Sequence, residues 1–283
     1  MKILRKIILC VLSRHIFSDV TGLLVRISRP KFLVRAVING YFIKTLGVHT
    51  DEIEKPVNSY GSVLKFFTRR LKPGARPVDT TAGGLISPVD GVITQSGQIL
   101  DNHLFEAKNR SYPFTTLIPF ADEKKYNQGH YITLYLSPAD YHRIHHPVSA
   151  EITHTSYIEG RLLPVNAFSL QNFSNVLPGN RRIIITYCCQ NITFYMVLVG
   201  ALNVGNISIL YDPSFYQKAD RNKNNGIVYQ KAYTGMKVEK GSEAAVFNLG
   251  STVILIFPEN TFVPGTTVRD SRIKMGQLLG TLT

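Results

Sequence analysis

The chain has 283 residues, 44% hydrophobic and 18% charged, with no Trp and a formal net charge of +13. Those proportions suit one large core or two modest domains and exclude a disordered polyelectrolyte. The three cysteines, Cys10 and the adjacent Cys188 and Cys189, exclude a disulfide framework and suit a reducing, cytosol-facing compartment, because the count is odd and sequence neighbours bridge only with strain.

Within residues 1–45, nine Lys and Arg stand against Asp19 alone, which makes +8 of the +13. Such an excess attracts polyanions, nucleic acid or anionic lipid alike. Residues 3–16 set Leu4, Ile8, Val11 and Leu12 at helical spacing among basic residues. Residues 31–46, opening after Pro30, repeat the pattern with Phe32, Leu33, Val37, Ile38, Tyr41 and Phe42. Two basic amphipathic helices suit a membrane interface, although a helical stripe also suits packing on the protein's own core. The apolar run Ile7–Leu12 is too short to span a bilayer, and no small-residue cleavage site follows it. Asn58 and Ser59 are expected to cap a third helix through Val63, Leu64, Phe66 and Phe67, closed by the turn Lys72-Pro73-Gly74.

From residue 83 the texture changes to short β-branched and aromatic runs between Gly, Pro, Asn and Asp. Tyr131–Leu136, Ile183–Tyr187, Thr193–Val199 and Thr252–Phe257 read as strands, and the polar stretch 213–233 as a loop. Two segments, Val238-Glu239-Lys240-Gly241 and Ile273-Lys274-Met275-Gly276, each place a Lys near a Gly, as in the turns of biotinyl- and lipoyl-type β-sandwiches; a plain hairpin turn explains them equally well. The fold class expected is α+β: N-terminal amphipathic helices (residues 1–50), then a mainly antiparallel, sandwich- or barrel-like core (residues 51–283).

Three motifs carry residues suited to chemistry. Ser87-Pro88-Val89-Asp90-Gly91 holds an Asp at what reads locally as a turn. Leu136-Ser137-Pro138-Ala139-Asp140-Tyr141-His142-Arg143-Ile144-His145-His146 gathers three histidines, the side chain best poised for proton transfer near neutral pH. His142 and His145 also have a spacing that suits a metal, but no third ligand stands nearby, and none is expected to bind. Phe247-Asn248-Leu249-Gly250-Ser251-Thr252 leads a Gly-Ser pair into a strand; Val253 excludes the G-x-S-x-G elbow. An Asp, a His and a Ser on three segments suit a proton relay. A Ser-His-Asp hydrolase and a non-enzymatic membrane-binding module remain alternatives at this point.

In this order the motifs resemble those of the phosphatidylserine decarboxylase family. The resemblance runs from Ser59-Tyr60 and Phe66-Phe67-Thr68-Arg69, through Arg76-Pro77-Val78-Asp79, Ser87–Gly91, Tyr135–Pro138, Asp140–His145 and Val199-Gly200-Ala201, to Leu249-Gly250-Ser251-Thr252. It implies a self-cleaving enzyme that works on phosphatidylserine through a covalent pyruvoyl group. His145, oriented by Asp90, deprotonates Ser251, which attacks the carbonyl of Gly250; the chain then divides into β (1–250) and α (251–283), which stay together as a heterodimer. Ser251 becomes the pyruvoyl group (pyruvate as cofactor) and forms a Schiff base with the substrate, and His142 protonates the product carbon. His146, directly after His145, offers a second base. The resemblance turns the basic N-terminus toward anionic membrane rather than nucleic acid, and implies a peripheral enzyme on the cytoplasmic face of the cell membrane; a higher oligomer is left open.

Overall fold

The computed structural model describes residues 31–107, 110–201, 207–215, 228–248, 251–266 and 268–283. The helix expected over residues 3–16, Cys10 and Gly250 lie outside the described residues.

The basic amphipathic segment at 31–46 is helical. Helix α1 (Lys31–Val37) continues into a π-helical stretch (Ile38–Thr45). Val34, Ile38 and Phe42, four residues apart, turn inward, while Phe32, Leu33, Val37 and Tyr41 on the neighbouring stripe are exposed. The inward side packs with Val48, Ile53, Phe66 and Phe67 in a small cluster of its own, which joins residues on both sides of position 50.

The cap expected at Asn58 and Ser59 is displaced. These residues form a 3-10 turn in which the Ser59 hydroxyl donates to the Pro56 carbonyl (2.7 Å), so it is spent before the helix begins. Ser62 caps α2 (Val63–Phe67) instead, its hydroxyl accepting from the Lys65 N–H at 3.2 Å. Among the described residues four further short helices follow: α3 (Phe114–Leu117), α4 (Glu123–Tyr126), α5 (Ala167–Asn172) and α6 (Val176–Gly179). Buried Arg182 ties α3 to α6 by donating to the carbonyls of Thr116, Leu117, Pro178 and Asn180, the acceptors that helix ends leave without partners.

The strands begin with β1 (Gly84–Ile86), β2 (Gly91–Gln98), β3 (His103–Ala107), β4 (Arg110–Pro113), β5 (His130–Leu136) and β6 (Arg143–His145). They continue with β7 (Ala150–Ile158), β8 (Arg182–Cys189), β9 (Ile192–Gly200), β10 (Ile207–Ile209) and β11 (Val228–Val238). The last are β12 (Glu243–Phe247), β13 (Ser251–Phe257), β14 (Phe262–Pro264), β15 (Arg272–Ile273) and β16 (Leu278–Leu282). Eight form one antiparallel sheet in the order β11-β7-β8-β9-β13-β5-β2-β15; β1-β16-β14 and β10-β12-β6 form two smaller sheets, and β3-β4 a hairpin. The α+β class is borne out, with a β-rich core. The four runs read as strands fall inside β5, β8, β9 and β13. The stretch read as a loop at 213–233 does not stay a loop to its end: β11 starts at Val228, because Tyr229, Lys231 and their neighbours find a full ladder of partners along β7.

Strand β13 is central, flanked by β9 and β5, and every one of its residues is buried. Its nearly unbroken apolar run, Thr-Val-Ile-Leu-Ile-Phe, suits a strand covered on both faces. Its first residue is Ser251.

Candidate active site

The backbone brings the three motifs to one end of the sheet. Ser251 pairs with Leu136, the last residue of β5, and with Gly200 of β9. Beyond Leu136 the chain turns: the Ser137 N–H donates to the Asp140 carboxylate at 2.7 Å and the Asp140 N–H to the Ser137 carbonyl at 3.0 Å, a reciprocal closure that delivers Tyr141, His142 and β6. The His142 carbonyl accepts from the Phe247 N–H (3.0 Å), four residues before Ser251, and the His145 N–H donates to the Pro88 carbonyl (2.9 Å), two residues before Asp90. Gly91 is not a turn glycine but opens β2. A Cβ there would lie 2.4 Å from the Tyr135 carbonyl oxygen, so only glycine lets β2 approach β5 beside Asp90.

The two Lys-Gly turns complete the site with backbone groups. The Met275 N–H donates to Asp90 Oδ1 at 2.8 Å, and His145 Nδ1 donates to the Gly241 carbonyl at 2.7 Å. The first turn is pinned by the Ser87 segment (Ser87 N–H to Gln277 carbonyl 2.8 Å, Gly276 N–H to Ser87 carbonyl 3.0 Å). The second is pinned by the Gly241 N–H on the His146 carbonyl (2.9 Å).

Tautomers follow from the acceptors. A carbonyl can only accept, so Nδ1 of both His142 (to the Asp140 carbonyl, 2.8 Å) and His145 carries the hydrogen. The lone pair is left on Nε2. In His145 it faces the Tyr141 hydroxyl at 3.2 Å; in His142 it is buried with no partner. Burial disfavours the charged imidazolium, lowering His145 and bringing His142 down to about 3 and His146 to about 4. All three rings are therefore neutral near pH 7. Phe67 packs tilted against His142, 3.9 Å between centroids and 39° between planes, and His146 is tied to the Tyr187 hydroxyl at 2.7 Å. Ser251 Oγ, like His142 Nε2, is buried without a hydrogen-bond partner.

Asp90 and His145 do not hydrogen-bond to each other, and Ser251 hydrogen-bonds to neither in this conformation. Asp90 is held instead by Arg76, a residue to which the sequence reading gave no role. Arg76 Nε reaches both carboxylate oxygens (2.8 and 3.0 Å), Nη2 bonds Asp90 Oδ2 (2.5 Å) and Glu52 Oε2 (2.8 Å), and Nη1 bonds the Ala75 carbonyl (2.7 Å). The hydrogen bond from Arg76 holds Glu52 below the usual carboxylate range. The Arg-Pro-Val-Asp motif of residues 76–79 was the one signal that marked this position.

Comparison with known proteins agrees with the geometry. A family model described as phosphatidylserine decarboxylase matches residues 63–281. The phosphatidylserine decarboxylase proenzyme of Brevibacillus brevis is 36% identical over 244 residues, covering 85% of this chain and 86% of that protein. That of Marinobacter nauticus is 36% identical over 249 residues, covering 86% and 85%. A third, from Saccharophagus degradans, is 30% identical over 279 residues, covering 96% and 95%. With the whole constellation from Arg76 to Ser251 inside the matched span, the chain belongs to the phosphatidylserine decarboxylase family.

Proposed function

We propose that this chain decarboxylates phosphatidylserine to phosphatidylethanolamine, and that its active form arises by self-cleavage between Gly250 and Ser251. The observation that carries the reading is Ser251 itself. Its hydroxyl is fully buried and unpartnered at the head of the central strand. Other buried hydroxyls, those of Thr133 and Ser156 among them, also lack partners; what sets Ser251 apart is its place directly after Gly250 in the Leu-Gly-Ser-Thr motif, inside the span that the family model matches. The serine-hydrolase alternative is disfavoured by Val253, which stands where the G-x-S-x-G elbow needs its second glycine, and by the family match.

In this reading His145 Nε2, the unprotonated nitrogen, exchanges the Tyr141 hydroxyl for that of Ser251 and takes its proton. The oxygen attacks the Gly250 carbonyl, an ester replaces the amide, and elimination separates residues 1–250 from 251–283. Glycine at 250 leaves that carbonyl without a shielding side chain. Asp90 stabilises the imidazolium electrostatically, its charge fixed by Arg76 and the Met275 N–H. Such hydrogen bonds tighten only as the reacting geometry is reached.

The fit for a pyruvoyl group at position 251 is that of a dry, strand-held residue with an unpartnered oxygen; when present, the group supplies the electron sink for the carbanion left by carbon dioxide. His142, neutral and unpartnered at Nε2, takes a proton from the substrate ammonium and returns it to the α-carbon.

The exposed stripe Phe32, Leu33, Val37 and Tyr41, with Lys31, Arg35 and Lys44 on the same helix, supports peripheral attachment to anionic membrane on the cytoplasmic face. No described helix is long and apolar enough to cross a bilayer. Denaturing mass spectrometry tests the chemistry. Two fragments divided at Gly250–Ser251 are expected, the smaller without a free amino terminus and reactive with hydrazine, and a single uncleaved chain for Ser251→Ala. A wild-type protein that folds and stays intact refutes the reading.

A further inference from the structure

A cavity of about 570 Å³ lies beside Asp90, and neither the cleavage step nor the imidazoles account for it. The loop of residues 46–49 forms one wall, directly after the helix that carries the exposed apolar stripe. Ser137 lines it too, one residue from Leu136, the cross-strand neighbour of Ser251. Its size is that of a small-molecule site, and it reaches from the foot of the amphipathic helix to the turn that follows β5.

Four cationic side chains, Arg69, Arg76, Arg272 and Lys274, line the cavity, and the first two are buried. Every guanidinium nitrogen of Arg76 is engaged, as described. Arg69 donates Nη2 to the carbonyls of Ala139 and Asp140, and its guanidinium lies over the Phe66 ring at 5.2 Å; its Nε and Nη1 have no partner but are buried away from solvent. Arg272 and Lys274 are different. Arg272 pairs with Asp140 through one nitrogen and is 67% exposed; Lys274 pairs with Glu52 at 3.1 Å and is 59% exposed. Each therefore keeps donors to spare. Standing two residues apart where β15 ends, they lie on the same side of an extended chain. A guanidinium fork beside an ammonium matches the open oxygens and single charge of a phosphodiester.

We propose that this cavity receives the headgroup of the glycerophospholipid, with Arg272 and Lys274 holding the phosphodiester and the serine end directed past Ser137 toward Ser251. The proposal rests on the function proposed above. It explains why the Lys-Gly turn at 274–276 carries a lysine at all: its backbone serves Asp90 and its side chain serves the substrate.

The test is a titration of glycerophosphoethanolamine, the soluble headgroup of the product, onto the purified wild-type protein, followed by ³¹P NMR or calorimetry, with inorganic phosphate as the second arm. Arg272→Gln and Lys274→Gln are each expected to weaken glycerophosphoethanolamine binding about tenfold, and the double variant more. KM for a soluble short-chain phosphatidylserine should rise in step, with kcat less affected; a monomeric substrate keeps membrane recruitment out of the measurement. Both side chains are largely exposed, so the variants should fold. Arg272→Lys, which keeps the ion pair with Asp140, should recover part of the affinity and covers the case in which Arg272→Gln does not fold. Unchanged affinity in the double variant overturns the proposal. So does inorganic phosphate that binds as tightly and with the same sensitivity, since the cavity is then a general anion site. A wild-type protein that binds the headgroup but leaves short-chain phosphatidylserine unconverted overturns the function reading and leaves the cavity assignment standing.

Discussion

Replacing Arg76 with Met should unsettle the protein out of proportion to the volume changed. The Arg76 and Asp90 side chains are 7% and 8% exposed. They share three hydrogen bonds of 2.5–3.0 Å, and Glu52 takes another at 2.8 Å. In Arg76→Met, Asp90 keeps only the Met275 N–H. Removing one partner of a buried pair costs about 3–5 kcal/mol, because the other charge is left uncompensated. The cavity beside Asp90 sets the expected loss near the lower end, about 3 kcal/mol, a fall in Tm of about 5 °C for a chain of this size. Asp90→Asn leaves Arg76 paired with Glu52 and costs less. The double variant has no orphaned carboxylate at position 90, so the two changes should be non-additive by about 2 kcal/mol. Urea unfolding of the four species in a Ser251→Ala background keeps every chain intact and makes the cycle clean. Additive single effects, or a loss below about 1 kcal/mol for Arg76→Met, would refute the view that Arg76 holds Asp90.

Gly276 has φ +91°, and a Cβ there would lie 2.2 Å from the Pro77 carbonyl oxygen. Gly276→Ala should therefore cost at least about 2 kcal/mol and slow self-cleavage as the Met275 N–H leaves Asp90, read by thermal unfolding and by the time course of chain division. A normal time course would separate that turn from the site. Acid should weaken the fold through the buried imidazoles. His142 and His146 titrate at about 3 and about 4 when folded, against an ordinary value near 6.5, so the unfolded chain takes up protons that the native state refuses. The penalty is absent above pH 6.5 and grows as pH falls through the window below it. By pH 5.5 each ring contributes about 1.4 kcal/mol, about 3 kcal/mol together. Urea midpoints at pH 7.5 and 5.5 measure this, and His146→Gln should remove about half of it; an unchanged pH dependence in that variant would be inconsistent with a buried, neutral His146. Changing Phe32, Leu33, Val37 and Tyr41 together to Gln should weaken binding to anionic vesicles about a hundredfold while leaving the buried Val34, Ile38 and Phe42 stripe intact. Vesicle flotation reads this, and undiminished binding would assign membrane contact to another surface.

Much of the site is legible before folding because its chemistry depends on residue type. Asp90, His142, His145 and Ser251 are acid, imidazoles and hydroxyl in short motifs, and β5, β8, β9 and β13 announce themselves by β-branched runs that no other structure accommodates well. Helical spacing at 31–46 likewise shows that two apolar stripes exist. It does not say that Val34, Ile38 and Phe42 would meet Phe66 and Phe67 while Phe32 and Tyr41 stayed in the open, since either stripe has the same period. Nor does any local pattern give the partners in the site. Asp90 receives the Met275 N–H from 185 residues away, His145 donates to a carbonyl 96 residues away, and Arg272 meets Asp140 across 132 residues. Even the cap at Ser62 depended on where the Ser59 hydroxyl was already committed. Residue type is a property of the chain, whereas a hydrogen-bond partner is a matter of position within about 3 Å. Here those positions exist only once β13 is enclosed between β5 and β9 and the two Lys-Gly turns have closed over the end of the sheet.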